Sequence, residues 1–327
     1  MLARVLLILA VLACLLPWVY PPASAYVTPP NALALGIVLA LLGQTAWPSE
    51  CKKYSRIIIQ TGIVAIGLWI SLPQIARAGL LGLALSSGAI VVSIVFCLLL
   101  EKLIKPPKDV STLLSAGTAI CGGSAIAATG TVIGATSAAI AVSTAVVFIL
   151  NAIGVYTYPH IGHALNLSDT QYGAWCAIGV HDVAGVLAAA KGYSPGDKAL
   201  EYATIIKLTR VLWIVPTALV LGWLYRRSQH TQTKAAKAPF PYFVIFFVLA
   251  CGVRYLLDKT IDAQLAHDIG ETAKKIATTL MTIALLLIGT GISLAAVRSV
   301  GWRALATGVV LWIMVSASAL LAIRALM

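Results

Sequence analysis

Long apolar runs recur from one end of the chain to the other, and charged residues crowd into the short intervals between them. A run of about 20 apolar residues is the length that crosses the hydrocarbon core of a bilayer as a helix. Of the 327 residues, 60% are hydrophobic and only 10% charged, with a mean hydropathy of +0.95. Soluble domains carry about 25% charged residues, so this chain cannot enclose its apolar surface in one aqueous core. In hydrocarbon, only helices and closed barrels satisfy their own backbone. The short alternating strands of a barrel are absent from the pattern. The chain therefore reads as an all-α polytopic membrane protein.

About eleven transmembrane helices are expected, over residues 2–20, 31–47, 55–72, 79–100, 110–131, 136–158, 171–190, 200–225, 240–257, 272–297 and 302–323. Setting the first aside leaves five and five. An odd number of spans makes two such units insert with opposite orientation, so the pattern predicts two inverted five-helix repeats plus an extra N-terminal helix. The organisation expected is residues 1–30 as N-terminal helix and loop, 31–159 as the first repeat, 160–170 as a cytoplasmic linker and 171–327 as the second repeat.

Arg4, an apolar run and Ala23-Ser24-Ala25 resemble a secretory signal with its cleavage site; an uncleaved first helix is the expectation adopted. With the N-terminus cytoplasmic, the inner loops hold Lys52, Lys53 and Arg56, then Lys102, Lys105 and Lys108, then Arg226, Arg227, Lys234 and Lys237. The outer loops hold fewer, and Asp258, Asp262, Asp268 and Glu271 offset those near Arg254–Lys275. The excess predicts N-in and C-out. It also accounts for the net charge of +12 without nucleic acid, since basic residues interleaved with aromatics are missing. The six cysteines form no C-x-x-C pair, which argues against a disulfide framework or zinc site. His160 and His163 form an H-x-x-H in the predicted cytoplasmic loop with no third ligand nearby. No cofactor or metal is expected.

Thr118 to Gly130 reads T-A-I-C-G-G-S-A-I-A-A-T-G. Each glycine in a helix interior costs about 1 kcal/mol relative to Ala. Close helix packing explains such a pair; so does a discontinuous helix, whose freed N–H groups need a partner in lipid. An anion at the start of the second half-helix would supply one. Cys121, Gly122, Gly123 and Ser124 are thus candidate substrate-binding residues, with Ser124 also suited to capping. Residues 288–296, I-G-T-G-I-S-L-A-A, echo the motif in the fourth helix of the second expected repeat. This adds Gly289, Gly291 and Ser293.

His181 and Asp182 lie inside the seventh expected span, and Lys207 and Arg210 inside the eighth. An ionisable residue within the membrane marks function by default. Lys207 and Arg210 share a helical face and can either pair with Asp182 or help bind an anion; Lys207 can instead snorkel outward. His181 can change charge near neutral pH, which suits proton coupling or gating with Asp182.

The segments G-T-A-I-C-G-G-S-A-I-A-A (Gly117 to Ala128), V-H-D-V (Val180 to Val183) and I-K-L-T-R-V-L (Ile206 to Leu212) resemble the YeiH-type sulfate exporter family. Val180 stands where that family has Ile, Gly185 where it has a bulkier polar residue, and G-T-G-I-S departs from its G-L-x-T pattern. The resemblance implies a bacterial inner-membrane protein in a wider superfamily with sodium–proton antiporters and bile-acid symporters. It also implies crossed discontinuous helices and an elevator-like movement, and carries over Cys121 to Ser124, His181, Asp182, Lys207 and Arg210.

The expected function is secondary active transport of a small anion, such as sulfate, sulfite or a sulfonate, with proton coupling. The expected partners are that anion, protons or sodium, and the lipid bilayer, with a homodimer allowed. A sodium-coupled organic anion symporter is the companion reading. An intramembrane thiol enzyme, with Cys121 as nucleophile and His181 as base, and a non-transporting scaffold are the other classes.

Overall fold

The computed structural model describes residues 2–70, 72–194, 196–229, 242–292 and 300–327. Its helices are α1 (Leu2–Ala13), α2 (Leu16–Val19), α3 (Pro29–Leu41), α4 (Pro48–Gly67), α5 (Leu72–Leu103), α6 (Lys108–Ala119), α7 (Gly123–Ile133), α8 (Ser137–Ala164), α9 (Asp169–Gly179), α10 (Val183–Lys191), α11 (Lys198–Val211), α12 (Ile214–Gln229), α13 (Tyr242–Thr260), α14 (Ala263–Gly289) and α15 (Trp302–Leu326).

Among the described residues five stretches are long and apolar enough to cross a membrane: Leu2–Val19, Ala78–Leu103, Ser137–Ala164, Ala263–Gly289 and Trp302–Leu326. A sixth arises if α11 and α12, bent by 45° at their junction, form one span. The chain is thus a multi-pass helical membrane protein, but the expected eleven transmembrane helices and the two inverted five-helix repeats are overturned. Several apolar runs are shorter as helices than as sequence. The run 31–47 yields only the 13-residue α3, because the chain turns at Gly43 and Trp47, both at positive φ. Helix α4 carries Glu50, Lys52, Lys53 and Arg56, and α13 carries Arg254, Asp258 and Lys259. The runs 110–131 and 171–190 are each divided into two helices.

The helices gather into two compact units, neither a continuous length of chain. One comprises residues 1–77 and 242–295, the other residues 78–241 and 296–327. In the first, α14 is the spine for α3 and α4. A Cβ on Gly36 would lie 2.3 Å from the Leu286 carbonyl oxygen, and one on Gly289 2.6 Å from that of Leu33. Backbones that close require glycine on both sides. Gly62 makes similar room for Met281. Thr28 caps α3 through the Asn31 N–H, and Asp262 caps α14 through those of Gln264 and Leu265.

The second unit packs α6, α7, α8 and α15 around Leu113, Leu114, Ile126, Val146, Leu150 and Leu311. Thr136 caps α8, and Ser168 with Gln171 forms a reciprocal capping box at α9. Helix α8 runs on to Ala164, through Pro159. The H-x-x-H pair expected in a loop therefore lies in its last turns, where His163 stacks on Tyr193 at 4.3 Å between ring centres.

Candidate functional site

Helix α6 ends at Ala119 and α7 begins at Gly123. Between them Ile120 leaves helical geometry (φ −129°, ψ −90°), and Gly122 takes φ 64°, ψ −120°, a conformation that side-chain-bearing residues avoid. A Cβ there would also meet Val147 Cγ1 at 2.9 Å and His181 Cβ at 3.5 Å. The second contact leads to an interruption within residues 171–190, a stretch whose apolar run predicts one continuous span. Helix α9 ends at Gly179, Val180 and Asp182 are extended, and α10 begins at Val183. The signal was present in Gly179-Val-His-Asp182, since an Asp before an apolar run is a helix-start pattern. All four half-helices have 12 residues or fewer. At 1.5 Å per residue, none exceeds about 18 Å.

The ends of α6 and α9 meet at two fully buried cations of α11. Lys207 Nζ donates to the carbonyls of Ile120 (3.1 Å), Ala177 (3.2 Å) and Val180 (2.8 Å). The Arg210 guanidinium donates to Ala119 (2.6 Å), Ala177 (3.3 Å), Ile178 and Thr118. Trp312 Nε1 donates to Gly179 at 2.7 Å. Both relative exposures are 0%, and a buried charge is tolerated only when its donors are used. The partners here are the carbonyls that a helix C-terminus leaves open, where a cation also complements the helix dipole. Among the described residues no ion pair joins either cation to Asp182.

The amide ends of α7 and α10 differ. Asp182 caps α10, its carboxylate accepting from the Ala184 N–H at 3.0 Å. The Asp182 N–H donates to Asn151 Oδ1 at 2.9 Å. Asn151 fits only because position 185 is glycine, where a Cβ would lie 2.5 Å from Asn151 Oδ1. Helix α7 has Gly122 as its N-cap and no side-chain hydrogen bond there. Ser124, in its first turn, is exposed, while Cys121 is buried. His181 is buried, with Nε2 3.4 Å from Thr118 Oγ1 and Nδ1 without a partner.

The second unit thus brings Cys121, Gly122, Gly123, Ser124, His181, Asp182, Lys207 and Arg210 to one place. Gly289 and Gly291 belong to the other unit. Gly289 ends α14 in contact with Gly36, and Ser293 lies outside the described residues. Asn151, Thr118, Gly185 and Trp312 are parts of the site that sequence reasoning did not select. Among the described residues there is no group of three or more His, Cys, Asp or Glu placed to hold a metal.

Each helix end carries about half a charge. The two amide ends and two carbonyl ends cancel, so the basic side chains near the site are Lys207 and Arg210 and the acidic one is Asp182.

Residues 1–308 match the family described as conserved hypothetical protein 698. A "UPF0324 membrane protein" of Bacteroides thetaiotaomicron is 38% identical over 302 residues, covering 91% of this chain and 86% of the relative. The chain belongs to this family. A UPF0324 membrane protein of Porphyromonas gingivalis is 36% identical, with 92% and 88% covered. One of Bdellovibrio bacteriovorus is 33% identical, with 98% and 94% covered. The UPF0324 match therefore extends over both compact units. No solved structure matches the chain.

Proposed function

We propose that this UPF0324 protein is a secondary active transporter of a small oxyanion, working by alternating access in the bacterial inner membrane. The observation that carries the reading is the asymmetry of the two interruptions: the carbonyl ends are neutralised by Lys207 and Arg210, α10 is capped by Asp182, and α7 is left uncapped beside exposed Ser124. A helix start with free amides is an anion-binding site. The anion is held by the amides of Gly123 and Ser124 and by the Ser124 hydroxyl. Lys207 and Arg210 act through their field, their donors being engaged by backbone. His181, with its unpartnered nitrogen, is the proton-coupling group, and Asp182 holds α10 while balancing the charge. Sulfate, sulfite and sulfonates are the substrates favoured by the motif resemblance. The N-terminus is cytoplasmic on the distribution of Lys and Arg.

Flux into proteoliposomes tests this. Labelled sulfate, sulfite and a sulfonate are offered across a pH gradient, with and without sodium. Saturable movement of at least one, accelerated by the proton gradient, is expected. Failure of all three to bind or move under any gradient overturns the proposal, and an absolute sodium requirement replaces proton coupling.

A further inference from the structure

A cavity of about 250 Å³ lies between α5, α6 and α12 of the second unit, away from the interruptions in sequence and on different side chains. Ile94, Leu98, Leu221 and Leu224 give it an apolar wall, and Lys108 and Arg227 stand in its lining. Among the described residues neither cation forms an ion pair. Glu101 also lines the cavity, its Oε1 accepting from Ser111 Oγ at 2.5 Å, so the lining sets two cations against one carboxylate. Asp109, beside Lys108, accepts from the Val110 N–H.

The residues around the cavity are of the kinds that gather at a membrane boundary. Arg227 lies over the Trp223 ring, 5.4 Å from its centre, and Trp223 is exposed. An exposed Trp with a cation one turn beyond it marks the boundary between hydrocarbon and headgroups. Leu98 and Leu103 on α5 are also exposed, as lipid-facing residues are. Lys102 lies in the last turn of α5 and Lys105 in the loop that follows it, and the Arg303 guanidinium donates to the Lys105 carbonyl at 3.4 Å. The cations thus gather at one end of the unit, above an apolar slot.

From this arrangement we infer that the cavity is a binding site for an anionic phospholipid. The phosphate lies between Lys108 and Arg227, and an acyl chain runs along Leu98, Leu221 and Leu224. A soluble anion would use the two cations but leave the apolar wall bare. A zwitterionic lipid would fill the wall, but its own ammonium would oppose the cations.

Native mass spectrometry of the full-length protein, titrated with phosphatidylglycerol, phosphatidylcholine or glycerol phosphate, tests the inference. Phosphatidylglycerol should bind more tightly than either of the others. A basic residue near an anionic headgroup contributes about a fivefold factor, so Lys108→Gln and Arg227→Gln should each weaken binding about fivefold and together about thirtyfold. Lys52→Gln with Lys53→Gln, in the other unit, should change it little. Leu98→Trp, which fills the slot and keeps every charge, should weaken phosphatidylglycerol but leave glycerol phosphate unaffected. Equal binding of the two lipids overturns the inference. So does equal binding of glycerol phosphate, or retention of phosphatidylglycerol by the Leu98→Trp variant. The lipid comparison on the unaltered protein and the Leu98→Trp result decide the matter even if the charge variants fail to fold.

Discussion

Gly122 is the residue on which the first interruption turns. Its φ of 64° with ψ of −120° and the Val147 methyl 2.9 Å from a would-be Cβ make Gly122→Ala costly by about 1–3 kcal/mol. The expected outcome is a lower melting temperature and lost flux; an alanine variant that melts and transports like the parent would show that the gap tolerates a side chain. Arg210 makes a sharper case. Its guanidinium reaches four carbonyls on two helices, and each buried acceptor left unmet costs about 1–3 kcal/mol. Arg210→Met should therefore leave little folded protein. Arg210→Lys keeps the charge but lacks the planar fork, and should melt well below the parent in a thermal-shift assay. Both cations were visible in I-K-L-T-R-V-L. Their carbonyl partners were not, because those belong to Thr118–Ile120 and Ala177–Val180, far away in sequence.

At the scale of helices, the two amide ends predict opposite responses to charge. Ser124→Asp places a carboxylate in the first turn of uncapped α7, where it complements the dipole by about 0.3–1 kcal/mol. The variant should be at least as stable as the parent yet fail to move anions, since its own carboxylate occupies their place. Asp182→Asn keeps an N-cap of similar strength and removes a negative charge. It should retain the fold while altering the pH dependence of flux in proteoliposomes. If both variants transport normally, the anion does not sit at α7. Gly122-Gly123 was legible as a weak point because glycine advertises it. The second gap, at Val180–Asp182, is harder to read in sequence, because His181 and Asp182 in an apolar run point to a buried functional group as readily as to a helix cap.

At the scale of the molecule, close backbone contacts hold the first unit together. Gly36→Val or Gly289→Val would drive side-chain atoms into the carbonyls of Leu286 and Leu33 respectively. Neither variant should accumulate as folded protein, as judged by detergent-solubilised yield and a monodisperse elution profile. Gly88→Ala, on α5 with nothing within 4 Å of the new methyl, should be neutral or mildly stabilising because alanine suits a helix better. Equal yields from all three would show that the α3–α14 contact is looser than its geometry implies.

Membrane residence was determined by the sequence alone, because 60% hydrophobic residues cannot be hidden from water by any packing of one chain. The local breakpoints at glycine and the buried ionisable residues were also written there, because backbone freedom and the cost of burying charge belong to single residues. The number of full-length crossing helices was not. An apolar run says that a segment avoids water, and packing decides whether it becomes one long helix, a 13-residue helix or two halves. Only the tertiary structure decided that α6 and α9 end against the same two cations and that Gly289 answers Gly36. Those pairings join residues separated by long stretches of chain, and their energy exists only once the helices are side by side.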